Sequence, residues 1–97
     1  MARFDLHRGT QGWLLDVQSE LTEGLTTRVV VPLMPPGKAP PALGELNPVF
    51  MIAGERYVLV VQLLAALPRR ELARPEGSLA HERDTITRAL DLLFTGF

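Results

Sequence analysis

The sequence predicts a mainly β fold completed by one carboxy-terminal α-helix. Two stretches favour strands: Arg3 to His7 alternates polar and apolar side chains, and Arg28 to Leu33 contains three consecutive valines. A period of two places one face of a strand against a core, and valine, stiff about χ1, suits a pleated sheet. Leu79 to Phe97 instead spaces its apolar side chains at the 3.6-residue period of a helix.

Length and composition predict a single domain over residues 1–97. A chain of 97 residues can bury one core but has no room for a second. Its 46% hydrophobic and 22% charged residues are ordinary globular usage, which excludes a disordered or fibrous class. The net charge is −1, whereas proteins that bind nucleic acid non-specifically normally carry a basic face. We also expect no direct, sequence-specific binding to nucleic acid.

The sequence also favours a soluble, cytoplasmic protein. It contains no cysteine, which excludes disulfides and thiol chemistry and suits a reducing compartment. Its first residues, MARFDLHRG, lack the apolar core of a secretory signal. The most apolar run, Tyr57 to Leu67, is far shorter than a bilayer span, so we expect no membrane partner.

The first half of the chain predicts a hairpin, a wing and a third strand. The hairpin joins the first strand to Trp13–Val17 through Gly9–Gly12, whose two glycines supply the backbone angles of a tight turn. Gln18–Thr27 is polar and rich in residues that disfavour helix, which favours a protruding hairpin or wing. Arg28–Leu33 is the third strand, and Pro32 marks an edge or the strand's end because it cannot donate a hydrogen bond.

The second half predicts a proline-rich loop and further strands. Met34–Pro48 contains five prolines, a density that excludes regular structure. Val49–Ile52 and Arg56–Val61 are nearly continuous apolar runs, predicted as strands covered on both faces and joined by a loop at Ala53–Glu55. Gln62–Leu67 has helical composition, but its place after a strand favours an extended segment.

The terminal helix is predicted to start at a Ser78 cap and to stop at Gly96, since glycine tolerates positive φ. Its apolar side is formed by Leu79, Ile86, Leu90, Leu93, Phe94 and Phe97. The last residues of most domains are polar and frayed, so the sequence Thr95-Gly96-Phe97 points to a functional use. The alternative is that Phe97 fills a gap in the chain's own core.

Four short blocks occur in order along the chain. They are residues 16–19 (DVQS), 30–33 (VVPL), 46–49 (LNPV) and 89–97 (ALDLLFTGF). Together they resemble the CcdB toxins of bacterial toxin–antitoxin pairs, over nearly the full length of the chain.

The resemblance implies a fold, partners and an activity. The fold is the SH3-like barrel shared by CcdB and MazF toxins, with a small β wing and one carboxy-terminal helix. The CcdB toxins are homodimers without catalytic activity or cofactors. They poison DNA gyrase by binding its A subunit and trapping cut DNA, and a CcdA-like antitoxin neutralises them with an initially disordered tail.

The resemblance also implies a gyrase-binding surface. Matching positions are Thr95, Gly96, Phe97, Phe94, Asp91 and Leu21. Family members commonly end in Trp-Gly-Ile, so Thr95 is a departure that weakens any contact made through an indole face. Alternative interpretations stay open for two positions. Phe94 lies on the apolar stripe and fits the core, and Asp91, which opposes the helix dipole, fits an ion pair with Arg88 or simple hydration.

An acidic antitoxin segment would require positive counter-charges on the toxin. The charge pattern assigns this role to Arg69, Arg70, Arg74 and Arg83. The alternative for the first three is an ordinary solvated loop.

The sequence offers little to a catalyst. His7 and His81 lack metal-ligand spacing, Ser19 and Ser78 lack the nucleophile-elbow context, and no phosphate-binding loop motif is present. We therefore expect neither catalytic residues nor a metal.

Two alternative functions remain. A MazF-like messenger-RNA endoribonuclease would draw on Arg28, Arg69, Arg70 and Arg74 with Thr26 or Thr27. A non-toxic or retargeted relative would survive as an antitoxin-binding module.

Overall fold

The computed structural model describes residues 1–96, which form one curled antiparallel sheet and a carboxy-terminal helix. The strands are β1 (Asp5–Arg8), β2 (Trp13–Asp16), β3 (Thr27–Met34), β4 (Val49–Ile52), β5 (Glu55–Leu59), β6 (Ala65–Pro68) and β7 (Gly77–Ser78). The helix, α1, spans Arg83–Thr95. The strand order is β4-β5-β3-β2-β1-β7, and β6 also pairs with β3. The predicted class, mainly β with one terminal helix, is confirmed.

The first two strands form the predicted hairpin, with Leu6 opposite Leu15 and Arg8 opposite Trp13. The turn between them is closed by a hydrogen bond from the Gly9 amide to the Gly12 carbonyl oxygen at 2.9 Å. A Cβ on Gly12 would collide with the backbone carbonyl oxygen of Leu33. This turn therefore requires glycine because it lies directly against β3.

The central strand, β3, changes partner along its length. It pairs with β6 through residues 27–30 and with β5 through Leu33 and Met34, while β2 lines its other side. Pro32 lies between the two partners, where its carbonyl oxygen accepts from the Val60 amide at 3.0 Å. The prediction that Pro32 marks an edge or a strand end is wrong, because β3 continues to Met34 and is paired on both sides. The amide hydrogen that proline lacks falls at the point where β3 changes its partner from β6 to β5.

The segment predicted as a wing is an exposed connection between β2 and β3. It contains one 3₁₀ turn, Glu20–Thr22, in place of short strands of its own. The proline-rich loop also contains a 3₁₀ turn, Gly44–Leu46, which contacts α1. It is followed by the buried Asn47, whose side-chain amide donates to the Leu59 carbonyl oxygen at 3.0 Å.

The β4–β5 hairpin turns through Ala53 and Gly54, with φ of 52° and 82°. Two positive φ values in a two-residue connection are the signature of a type I′ turn, so the turn is one residue shorter than predicted. At the sheet edge, Val49 and Met51 are 50% and 62% exposed, whereas Phe50 and Ile52 are buried. The prediction that β4 is covered on both faces is wrong because nothing within residues 1–96 covers its outer face.

The core lies between the inner face of the curled sheet and α1. Leu15, Leu33 and Leu59 from the sheet belong to the same buried cluster as Ile86 and Ala89 from the helix, all of them inaccessible to solvent or nearly so. The entry to α1 differs from the prediction, because Ser78 Oγ accepts from the Ala80 amide before a 3₁₀ turn, Ala80–Glu82, and the residue at the cap position of α1 is Glu82. Residues 61–63 form another such turn, so of the predicted extended segment, 62–67, only 65–67 lies in a strand, β6. Across residues 1–96, no helix has the length and apolarity to cross a membrane.

Candidate protein-binding surface

The helix terminus, residues 91–96, is held by its own backbone. Gly96 has φ 85° and ψ 4°, and its amide donates to the carbonyl oxygens of Asp91 and Leu92 at 3.2 and 3.1 Å. Thr95 Oγ1 donates to the Asp91 carbonyl oxygen at 2.7 Å. The predicted stop at Gly96 is confirmed as a left-handed glycine cap. Phe97 lies outside the described residues, so its predicted exposure stays a prediction.

Phe94 is 67% exposed, so the alternative interpretation that its side chain belongs to the core is wrong. Successive helical residues are rotated by about 100°, and the neighbouring Leu93 is the one that packs against the core. Asp91 is also exposed, and Arg88 pairs with Glu45 at 3.0 Å rather than with Asp91. The helix terminus thus presents an aromatic ring one turn from a carboxylate.

A second exposed apolar site lies on the connection between β2 and β3, here called the Leu21 loop (residues 19–26). Leu21 is 96% exposed, and its amide donates to Ser19 Oγ at 3.1 Å. Thr22 Oγ1 donates to the Ser19 carbonyl oxygen at 2.8 Å. The turn is thereby closed locally, with its leucine facing water. The loop and the helix terminus are the two elements that carry the predicted gyrase contacts.

Beneath the Leu21 loop lies a buried polar cluster of Asp16, Gln18 and Arg28 that the sequence analysis missed. Arg28 Nη2 and Nε lie 2.7 and 2.8 Å from Asp16 Oδ2, and neither side chain is accessible to solvent. Asp16 Oδ1 accepts from the Gln18 amide at 3.0 Å. The sequence signal that could have indicated this cluster is the placement of two polar residues, Asp16 and Gln18, on either side of Val17 at the end of an otherwise apolar strand.

Burial of Arg28 also bears on the endoribonuclease alternative. A cation that contacts RNA must reach the phosphate backbone, whereas Arg28 is enclosed and paired with Asp16. Arg28 therefore cannot contact RNA as the endoribonuclease alternative requires.

The four arginines predicted to bind an antitoxin have different surroundings. Arg69 is half-buried, and its Nη1 donates to the Glu23 carbonyl oxygen at 2.9 Å, so it braces the Leu21 loop. Arg70, Arg74 and Arg83 are exposed. Arg83 borders a shallow depression on α1 with Asp84, Thr87, Arg88 and Asp91. The arginine set therefore does not present a surface of one sign, because acidic residues flank its helical member.

The described histidines and carboxylates offer no metal-binding arrangement. His7 is buried, with Nδ1 2.6 Å from the Ala73 carbonyl oxygen, and His81 is exposed at the start of the helical region. Among residues 1–96, no three His, Cys, Asp or Glu side chains are grouped to hold an ion. The surface instead exposes apolar side chains, Leu21 on the Leu21 loop and Phe94 on the helix terminus among them.

Comparison with models of protein families identifies the family to which this chain belongs. The family model described as CcdB protein matches residues 3–96. The chain belongs to the CcdB family. This CcdB-family protein is therefore a CcdB-type toxin of a toxin–antitoxin system, and the fold agrees with that assignment. CcdB toxins as a family act on gyrase and pair with an antitoxin, and as a family they are gyrase poisons rather than enzymes. A search of curated proteins found no match.

Proposed function

We propose that this chain poisons DNA gyrase by binding the A subunit as a homodimer. The observation that carries the proposal is the exposed Phe94 on a helix terminus fixed by the Gly96 cap, in a chain whose residues 3–96 match the CcdB family. A large exposed aromatic ring gains much from burial at an interface, and aromatic anchors dominate the energetics of binding surfaces.

In this proposal the contact set is Phe94, Thr95, Gly96, Phe97, Asp91 and Leu21. Thr95 offers little apolar area, and its hydroxyl is bonded to the helix's own carbonyl group. Phe94 therefore supplies the aromatic contact of the described part of the surface. Apart from the neighbouring residues, no atom of the described part of the chain lies within 4 Å of a Cβ built on Gly96, which leaves the backbone there open to a partner on the side of that Cβ.

The test is a gyrase supercoiling and DNA-cleavage assay with purified protein. We expect inhibition of supercoiling and accumulation of cut DNA, and we expect Phe94→Ala to weaken binding to the A subunit about thirtyfold, as loss of an aromatic anchor typically does. Leu43→Ala is the matched control, because Leu43 is 65% exposed but lies on the proline-rich loop. Full potency after deletion of residues 95–97 would refute the proposal.

Thr95→Trp provides a gain-of-function arm. If the helix terminus docks on gyrase, an indole at this position adds apolar contact area and raises affinity severalfold. An unchanged affinity for Thr95→Trp, together with a fully active Phe94→Ala, would place the contact elsewhere on the molecule.

We further propose that an acidic CcdA-like segment contacts Arg70, Arg74 and Arg83, with Arg69 contributing from its position against the Leu21 loop. Exposed cations attract such a segment and give a salt-dependent association rate. Arg70→Gln combined with Arg74→Gln should weaken antitoxin binding and flatten its salt dependence. Affinity that does not respond to these changes would remove the arginines from the interface.

The proposed homodimer is supported by the apolar outer side of the β4 edge, where Val49 and Met51 are exposed. Sedimentation analysis tests it directly. A mass near twice the 10.7 kDa of the chain is expected, and a monomer at micromolar concentration would refute it.

A further inference from the structure

We propose that Gln18 is a positioning residue that holds Leu21 in place for target binding. This inference rests on the proposed function, in which Leu21 contacts gyrase. It adds the residues that prepare this contact, which lie inside the protein and do not touch the target.

Gln18 bonds to both sides of the loop it supports. Its side-chain Oε1 accepts from the Val29 amide of β3 at 2.8 Å, and its Nε2 donates to the Thr22 carbonyl oxygen at 3.1 Å. The residue is only 8% exposed. One buried carboxamide thus ties the residue that follows Leu21 to the central strand of the sheet.

The position of Gln18 is itself fixed from below. Its amide donates to Asp16 Oδ1, and the other oxygen of that carboxylate is held by Arg28. Both charged groups are inaccessible to solvent, so water does not compete for the hydrogen bonds between them. The Asp16 carboxylate therefore provides the Gln18 amide with a rigid acceptor. The chain of contacts runs from a buried ion pair through Gln18 to the base of the Leu21 turn.

Arg69 braces the loop from outside the cluster. Its guanidinium donates to the Glu23 carbonyl oxygen, and its amide donates to the Thr26 carbonyl oxygen, both at 2.9 Å. With Gln18 on Thr22 and Arg69 on Glu23, two successive carbonyl groups after Leu21 are anchored to residues outside the loop. A side chain that is 96% exposed is therefore presented on a backbone with little freedom.

Such bracing matters for binding because a mobile loop must be ordered when the complex forms. Ordering costs conformational entropy that reduces affinity, whereas a loop already held in its bound geometry avoids this loss. Leu21 should consequently contribute to affinity only while Gln18 and Arg69 hold the loop.

The test compares Gln18→Leu with Gln11→Leu, a matched change at an exposed position in the β1–β2 turn. We expect Gln18→Leu to weaken binding to the gyrase A subunit at least tenfold and Gln11→Leu to leave it unchanged. In a Leu21→Ala background, Gln18→Leu should weaken binding by no more than twofold further. Equal losses in both backgrounds would overturn the inference, since Gln18 would then act by some route other than Leu21.

Hydrogen exchange in the free protein measures positioning without gyrase. The Leu25 amide donates to the same Thr22 carbonyl oxygen that Gln18 holds. Exchange at Leu21, Thr22 and Leu25 should accelerate at least tenfold in Gln18→Leu, while exchange in α1 stays unchanged. Unaltered exchange at these three amides would overturn the positioning role by itself.

Arg69→Gln gives a second variant should Gln18→Leu fail to fold, and Lys38→Gln, at an exposed lysine on the proline-rich loop, is its control. Arg69→Gln should show the same loss of gyrase affinity and the same dependence on Leu21. Failure of the wild-type protein to bind the A subunit would refute the proposed function, and with it the recognition role of Leu21. The exchange experiment would still decide whether Gln18 fixes the loop.

Discussion

The Leu21 loop and the helix terminus each expose an apolar side chain, but they hold it by opposite means. The loop lacks regular structure beyond one 3₁₀ turn, and its geometry depends on hydrogen bonds from Gln18 and Arg69. The helix terminus continues a regular helix whose Ile86 and Ala89 are buried and whose last turn is closed by the Gly96 cap. A loop is fixed by specific polar partners, whereas a helix end is fixed by apolar burial a turn or two away.

Each element is also tied down by one ion pair, and the two pairs differ in burial. Asp16 and Arg28 meet at 2.7 Å without solvent exposure beneath the loop. Glu45 and Arg88 meet at 3.0 Å on the surface, between the 44–46 turn and α1. Breaking a buried pair strands a charge away from water, while the partners of a surface pair simply become hydrated. Substitutions that break these ion pairs should therefore cost far more stability on the loop side than on the helix side.

The largest effect is expected for Asp16→Asn, which leaves the Arg28 charge buried without its counter-ion. We expect unfolding free energy to fall by about 3–5 kcal/mol, as for other buried pairs that lose one partner. Urea unfolding measures this, with Asp91→Asn on the exposed helix surface as the control, expected to change stability by less than about 0.5 kcal/mol.

A double-mutant cycle separates the stranded charge from general damage. In an Arg28→Met background Asp16→Asn strands no cation and neutralises a carboxylate that has already lost its partner, so it should cost much less there. An equal cost in both backgrounds would contradict the assignment of the buried pair as the source of the loss.

The second largest effect is expected on the helix side, where support is apolar. Ile86 is fully buried in the hydrophobic core, and Ile86→Ala should lower the unfolding free energy by about 2–5 kcal/mol through lost burial and a residual cavity. Thr85→Ala, one residue earlier and exposed, is the control. If the helix is held as described, exchange at the Leu21 loop should be unaffected under native conditions by Ile86→Ala. Faster exchange there would show that the two elements share their support.

Much of the fold could be predicted from sequence because it follows from short-range patterns. The period of two, the run of valines and the helical stripe each predict an element that the structure contains. Pro32 and β4 were misread because their surroundings are set by strands distant in sequence. No local pattern tells that β3 changes partner beside Pro32, or that β4 lies at the sheet edge.

The candidate site was less accessible to sequence reasoning. Residue types and the family resemblance pointed to Leu21 and Phe94, and both are exposed in the structure. The polar cluster below the loop was missed, because pairing of Asp16 with Arg28 requires β2 and β3 to be neighbours, which composition and periodicity cannot establish. For the same reason the hydrogen bond from Arg69 to the Leu21 loop was not predicted, whereas the assignment of Arg69 to an antitoxin surface stays a prediction.

A smaller effect is expected at the glycine cap. Gly96 has φ 85°, and among residues 1–94 no atom lies within 4 Å of a Cβ built there, so the strain expected in Gly96→Ala comes from the left-handed backbone. The cost should be about 1 kcal/mol, or less if the last turn unwinds. Gly37→Ala is the matched control, since Gly37 is equally open and its φ lies outside the left-handed region. A substantially larger loss at Gly96 would mean that the cap supports more of α1 than its final turn.

The smallest effect is expected for Arg88→Gln, which removes the surface pair on the helix side. Exposed pairs contribute about 0–1 kcal/mol, since each partner is already hydrated and must give up side-chain freedom. Because salt screens exposed charges over a few ångströms at 1 M, the difference between wild type and Arg88→Gln should vanish in urea titrations at 1 M NaCl. The cost of Asp16→Asn should persist under the same conditions, because counter-ions cannot reach Arg28. Equal salt sensitivity of the two variants would contradict the contrast between a buried brace under the loop and a hydrated one beside the helix.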